Sequence, residues 1–338
     1  MKDIIKRLVE ISSPSGREEP MQNAIRDYIQ PYVDEVNIDA LGNLIAHKKG
    51  VGKKLLFDAH IDEIGFIATY IDDHGFVHIE PLGGHNPINL PFQRITFEYG
   101  TKGTFGFESE IFSKMQSDRK EISFDTIFAD IGARSKNEAL SKIRIGETAT
   151  YDSPFIDMGN RYMSKAMDDR IACAILVKLI QTLQTNHHDL YFVFAAQEEV
   201  GLVGSKAAAY GIEPDFGIAL DVTTTGFDDT PKGLKRVPMK LGAGPAIKIQ
   251  DRSMIANHNL NQWIQNIADQ YKIPYQFEVL AFGGTDGGVI QTTKSGVYTT
   301  CLSIPTRYLH SPSEIVDVSD VNYTLQLVKA IAEKEISL

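Results

Sequence analysis

Four runs of this chain are apolar almost without interruption: KKLLFDAHID, DLYFVFAAQEE, DFGIALDVT and GVYTTCLSIP. A strand with one wet face alternates polar and apolar residues. A continuous apolar run instead reads as a strand buried on both faces. Segments of helix length with an apolar face lie between these runs. They are DDRIACAILVKLIQTL, VGSKAAAYG, HNLNQWIQNIADQYKI and the C-terminal VSDVNYTLQLVKAIAEKEI. Near the start, Ile4, Ile5, Leu8 and Ile11 share one helical face, and SSPSG ends that helix. Ser15 with Glu18 then reads as a capping box that opens a second helix through MQNAIRDYIQPYV. Such alternation predicts an α/β fold, a mixed sheet covered by helices on both faces.

The texture changes between residues 65 and 161. Strand signals there are short, alternating and rich in turns, as in GFIATYIDDHGFVHIEPLGG, QRITFEYGTKGTFGFE and ETATYDSPF. We therefore expect an α/β domain built from residues 1–64 and 162–338, with a small β-barrel-like domain inserted at 65–161. A length of 338 residues suits two domains. Lysine and arginine number 34 against 44 acidic residues, a net charge of −10. That balance argues against nucleic acid or an anionic membrane surface as a partner. No run approaches the ~20 apolar residues of a membrane span. The opening MKDIIKRLVEISS lacks the apolar core of a signal peptide. Cys173 and Cys301 sit in apolar runs as free thiols, so a reducing, cytoplasmic setting is expected.

The buried runs share a second property: each ends in acids or imidazoles. His60 and Asp62 follow the first, Glu198 and Glu199 the second, Asp221 closes the third, and His310 lies beyond the fourth. A further pair, Asp168-Asp169, opens the helix after the inserted segment. In open α/β sheets, ligands bind outside the carboxyl ends of the strands. Carboxylates gathered there without arginines would repel one another, and divalent cations would neutralise them. Mixed imidazole and carboxylate donors suit zinc, with cobalt or manganese as neighbours. Each residue alone has a plainer reading. Asp168 or Asp169 could cap the following helix, Glu198-Glu199 could be a charged helix start, and His60 a loop histidine. His47, His74, His78, His85, His187, His188 and His258 lack this context and are expected to be structural or on the surface.

The segments DAHIDEIGF, KAMDDR, AAQEEVGLVGS, ALDVT and RYLHSPSE, in that order, resemble the M42 family of metallo-aminopeptidases. The resemblance spans nearly the whole chain, including DIGARSKNEALSKIRIGE and LGAGPAIKIQDRS. It implies two divalent metal ions per subunit. His60, Asp168, Glu199, Asp221 and His310 would be the ligands, with Asp168 bridging. Glu198 would be the catalytic acid/base, and Asp62 would fix the His60 tautomer. Gly284, Thr285 and Asp286, in the AFGGTDGGVI loop, match the family's GGTD segment and would line the substrate pocket. The substrate would be a peptide with a free N-terminus. The family also implies a homo-oligomer, from dimer to hollow dodecamer. The stretch GTFGFESEIFSKMQSDRK departs from the family's usual pattern, which leaves the assembly geometry open.

Three other functions compete. A glycosidase needs two carboxyl groups about 5–9.5 Å apart across a sugar bond, which neighbours on one strand end do not supply. A cellulose groove would want exposed tryptophan, and the single tryptophan, Trp263, falls in a helical segment. A carboxypeptidase or deacylase could share the metal site but would need an arginine for the substrate carboxylate, and Arg170 and Arg307 are the candidates. A binding protein without activity would have no use for Glu198.

Overall fold

Apolar runs of five to ten residues, rich in Leu, Ile, Val and Phe, pair at the centre of one large sheet. The computed structural model describes residues 1–107, 122–185, 187–226 and 237–338. Most of the unusual stretch 103–120 thus lies outside the described residues. Strands β1 (Glu35–Ile38), β2 (Leu44–Lys48) and β3 (Lys54–His60) precede the insertion. The insertion holds β4 (Gly65–Ile71), β5 (Val77–Leu82), β6 (Arg94–Phe97), β7 (Lys102–Phe107), β8 (Ile127–Asp130) and β9 (Thr148–Tyr151). After it come β10 (Ile156–Asp157), β11 (Arg161–Ser164), β12 (Asp189–Ala195), β13 (Phe216–Thr224), β14 (Ala246–Gln250), β15 (Gln276–Val279), β16 (Tyr298–Arg307) and β17 (Glu314–Asp317).

The large sheet runs β1-β2-β12-β3-β13-β16-β17-β11-β10, with β14 pairing β16 and β15 beside β14. Its four central strands, β12, β3, β13 and β16, are mutually parallel. The register sets Ala195 beside His60, and Asp221 beside Ser303. The carboxyl ends of all four therefore meet on one edge. The α/β mixed sheet expected from the apolar runs is what forms.

Helices cover both faces. The helix Met167–Thr182 is buried along almost its whole length, against β3 and β13 on one side and the helices Lys2–Glu10, Glu19–Ile29 and Val318–Ala332 on the other. On the opposite face, Leu56, Val193 and Ala195 pack against Ala208, Ala209 and Ile212 of the helix Val203–Ile212, and against Ile290. The inserted strands close into an antiparallel barrel, β4-β5-β8-β7-β6-β9. Phe66, Ile95, Phe97, Phe105, Ile127 and Tyr151 fill it as a separate core. Barrel strands run from Gly65 to Tyr151, while β10 and β11 pair into the large sheet. Among the described residues, no helix is long and apolar enough to cross a membrane.

The reading of Ser15 and Glu18 as a capping box is corrected. The helix Glu19–Ile29 starts without a side-chain cap. Ser15 Oγ donates to Asp62 Oδ2 at 2.6 Å, and Glu18 Oε1 accepts from the amides of Gly16 and Gln197. Both side chains answer long-range partners in a buried setting, where an unpaired polar group costs more than an uncapped, wet helix end.

Candidate metal centre

The four parallel strand ends and the start of the helix Met167–Thr182 place Asp168 between two histidines. His60 Nε2 lies 2.9 Å from Asp168 Oδ1, and His310 Nε2 lies 3.3 Å from Asp168 Oδ2. His310 Nε2 is also 3.5 Å from Glu199 Oε2, and His60 Nε2 is 3.9 Å from Glu198 Oε2. Three sets offer ligand atoms within 4.8 Å of one another: His60, Glu198 and Glu199; His60, Asp169 and Asp221; Asp168, Glu199 and His310. All five ligands implied by the resemblance, and Glu198, are thus brought together.

The backbone around the cage is unusual. Ala166, Gln197, Leu202, Tyr308 and His310 have positive φ, between 55° and 60°. Non-glycine residues seldom sit there, and clusters of them mark sites that the surrounding structure holds in place. Asp62 does much of that holding. It is fully buried, and its carboxylate accepts from the amides of Glu198 at 3.0 Å and Glu199 at 3.2 Å, as well as from Ser15 Oγ. Its contact with His60 differs in detail from the expected one. The nearest acceptor to His60 Nδ1 is the main-chain carbonyl of Asp62 at 3.2 Å, with Asp62 Oδ1 at 3.5 Å.

Glu314, missed in the sequence, and Asp169, weighed there as a helix cap, complete the frame. Glu314, 1% exposed, accepts from the amides of His310 at 2.8 Å and Asp168 at 3.0 Å, tying two distant ligands to one carboxylate. Asp169 is fully buried, and neither of its carboxylate oxygens has a hydrogen-bond partner. The barrel contributes as well: Gly84 O contacts His310 Nδ1 at 2.6 Å. A Cβ on Gly84 would stand 2.9 Å from that nitrogen, so the imidazole needs glycine there. His85, expected to be structural or on the surface, joins the cavity wall, with Nε2 at 2.8 Å from Gly65 O.

Electrostatics mark the cage as short of positive charge. Burial raises Glu199 to about 8, helped by Asp168. Burial likewise raises Asp221 to about 7, again with Asp168 adding to it. Glu198 and Asp169 are pushed well up by burial and by neighbouring carboxylates. Burial opposes charge on the histidines but loses to the acids. His60 rises well above its ordinary value through Glu198 and Asp168, and His310 rises to about 10 through Glu199 and Asp168. For Asp168 burial pulls upward, yet the two imidazoles hold it well below the usual carboxylate range.

The residues fit a pair of divalent cations. Ligands about 2.0–2.1 Å from a tetrahedral cation stand about 3.3 Å from each other. The His310–Asp168 and His310–Glu199 separations, 3.3 and 3.5 Å, match that spacing better than that of a hydrogen bond. Glu199 Oε1 and both Asp169 oxygens are buried without partners, which is costly unless something positive satisfies them.

The cage opens into a cavity of about 980 Å³. Val222, Val237, Leu280, Phe282 and Leu309 form apolar parts of its wall, and Gly283 and Gly284 continue it. Of Gly284, Thr285 and Asp286, the three expected to line the pocket, Gly284 alone lies on the wall. Thr285 and Asp286 are 1% and 3% exposed, and the Thr285 hydroxyl faces Cys301 Sγ at 3.7 Å. Arg170 is sealed from the cavity. It is fully buried, and its guanidinium donates to the carbonyls of Leu8, Ile11 and Ser13. Arg307 is not on the wall either.

A mixed sheet with such a cage at its parallel strand ends defines a metal-dependent hydrolase. The family model for M42 glutamyl aminopeptidase matches residues 42–327. A lysyl aminopeptidase of Pyrococcus furiosus is 35% identical over 342 residues, covering 98% of this chain and 96% of its own. Among solved structures, an aminopeptidase of Desulfurococcus kamchatkensis superposes with a TM-score of 0.93 at 36% identity, covering 98% of this chain and 94% of that one. The TET1 peptidase of Pyrococcus horikoshii, which can assemble into a tetrahedron or a large octahedral shell, superposes at 0.86 with 30% identity over 99% of both chains. The chain belongs to the M42 family. It is accordingly a metal-dependent aminopeptidase, of a family whose centre is dinuclear.

Proposed function

We propose that this chain removes the N-terminal residue of peptides at a pair of cations held by His60, Asp168, Glu199, Asp221 and His310. The observation that carries the assignment is Asp168, whose two oxygens face two different imidazoles at 2.9 and 3.3 Å. Asp168 is then shared, with His60 and Asp221 on one side and Glu199 and His310 on the other. Zinc suits this donor set first, with cobalt or manganese next. When bound, such a pair supplies Lewis acidity and lowers the pKa of water towards neutrality.

The chain's own residues do the rest. Glu198 takes a proton from the attacking water and returns it to the leaving amine. Its Oε2 stands 3.9 Å from His60 Nε2, on the cavity wall beside the cage, where a general acid/base is needed. Asp62 positions both glutamates through their amides and backs the His60 ring. Gly284 forms part of the wall along which substrate lies, and Thr285 and Asp286 support it from beneath. Arg170 is sealed in the core, which counts against a carboxypeptidase.

Residues 1–64 and 162–338 form the catalytic domain in this scheme. The inserted 65–161 segment closes the site through Gly84 and takes part in a homo-oligomeric assembly, as the relative's shells suggest. A panel of aminoacyl-p-nitroanilides with zinc, cobalt or manganese tests the scheme. Unblocked substrates should be cleaved, and chelator should abolish cleavage. Equal cleavage of N-acetylated substrates would refute the requirement for a free amino group.

A further inference from the structure

One part of the cavity wall carries a charged cluster of its own beside the metal cage. Lys248 on β14 and Glu278 on β15 are register partners, and both line the cavity. The Lys248 ammonium contacts Glu278 Oε1 and lies 3.1 Å from Asp251 Oδ2. The three residues are 3%, 0% and 4% exposed. Asp251 uses its other oxygen to hold a turn, accepting from Ser253 N, Ser253 Oγ and Met254 N at 2.7 to 2.9 Å. One cation therefore serves two carboxylates, and the cluster is negative overall. Glu278 Oε2 is buried without a hydrogen-bond partner. Val222, Leu280 and Phe282 share this cavity wall.

We propose that the Lys248–Glu278–Asp251 cluster selects the side chain of the substrate's N-terminal residue, favouring lysine or arginine over glutamate or aspartate. The proposal rests on the aminopeptidase reading of the cage beside it. A cationic head reaching Glu278 donates to the orphaned oxygen and brings the cluster to neutrality. Its aliphatic stem lies along the apolar wall, as long basic side chains do elsewhere. An acidic side chain adds a third carboxylate to a cation already shared by two, and loses its own hydration on entry. The chain would thus work against the side chain that gives its family the glutamyl name.

Rates on lysyl-, leucyl- and glutamyl-p-nitroanilide, measured on the zinc-loaded full chain, test this. Lysyl over glutamyl should exceed about tenfold in kcat/KM, the low end of the discrimination that one altered side-chain group gives in a pocket. In Glu278→Gln the cluster becomes neutral, so the lysyl-to-glutamyl ratio should fall by about tenfold. Leucyl cleavage in the same variant reports an intact site. If leucyl substrate is cleaved but the wild type handles glutamyl as well as lysyl, the selectivity proposal is wrong while the aminopeptidase reading stands. An unchanged ratio in an active Glu278→Gln variant also overturns it. Cleavage of none of the three overturns both. Should Glu278→Gln fail to fold, the wild-type ratio alone decides.

Discussion

Stripping the cations should make the fold's stability fall as pH rises, and the cage sets the size of the effect. Fully ionised, Asp168, Asp169, Glu198, Glu199 and Asp221 carry five negative charges, and His60 and His310 return at most two positive ones. Two divalent cations cancel four of the five without any charge on the imidazoles. Without them, the native state must keep protons. Asp221 is held to about 7 and Glu199 to about 8. In the unfolded chain both ionise near pH 4. The native state therefore binds more protons than the unfolded state from about pH 4 up to 7 or 8, and raising the pH across that window favours unfolding. His310, raised to about 10, acts in the same direction above the ordinary histidine value. Asp168, depressed, matters only below pH ~4.

Each proton bound only by the native state tilts stability by about 1.4 kcal/mol per pH unit. Asp221 and Glu199 alone give a slope near 3 kcal/mol per pH unit, and water in the open cavity reduces it to about 1. Between pH 5.5 and 8.5 the chelated protein should lose about 3 kcal/mol. At about 2.1 cal/mol/K per residue, that is a fall in Tm of about 4 °C for a chain of this length. Zinc-loaded protein should hold its Tm or gain, because the ligands must lose protons to bind. Asp320, raised to about 7 by burial, and Glu18, also raised by burial, titrate outside the cage and affect both forms alike. Scanning calorimetry with chelator and with zinc, compared as a difference across pH, isolates the cage. A difference that stays flat or shrinks as pH rises would refute the reasoning.

Glu198→Gln should lower kcat by roughly 10²–10⁴-fold while metal content, measured by emission spectroscopy, stays at the wild-type level. Gly84→Ala should displace the His310 ring, since the new methyl carbon would stand 2.9 Å from Nδ1. Calorimetric titration should then show weaker binding at one of two metal sites, with Tm of the chelated form nearly unchanged. Arg170→Met should cost about 3–5 kcal/mol in urea unfolding, because three buried carbonyls lose their donor and Glu63 loses one of its two cations.

The four apolar runs were legible as buried strands of a mixed sheet, because a strand with one wet face would alternate. Parallel strands then forced their carboxyl ends together, so His60, Glu199, Asp221 and His310 could be grouped without any spacing rule. What escaped was everything held by partners far away in the chain. Ser15 and Glu18 match a local capping pattern, yet Ser15 answers Asp62, 47 positions on, and Glu18 answers Gln197, 179 positions on. Glu314 holds the site through the amides of His310 and Asp168. Amide partners leave no trace in the identity of the residue that supplies them. Asp286 shows the converse: a motif marks a loop near the site, but its carboxylate is buried beneath the wall.

The adjacency of Glu198 and Glu199 has a geometric cause that joins these observations. In a continuing strand, neighbouring side chains point to opposite faces of the sheet, and one carboxylate would be lost beneath it. β12 stops at Ala195, and Gln197 takes a left-handed conformation with φ of 56°. The carboxylate of Asp62, reaching over from beyond β3, then accepts both following amides, one on each oxygen. That clamp keeps both glutamates above the strand ends and spreads them to either side of Asp168. Glu198 Oε2 falls 3.9 Å from His60 Nε2, and Glu199 Oε2 falls 3.5 Å from His310 Nε2. Two identical side chains thus acquire different neighbours from one residue of backbone, and a single buried aspartate fixes the division.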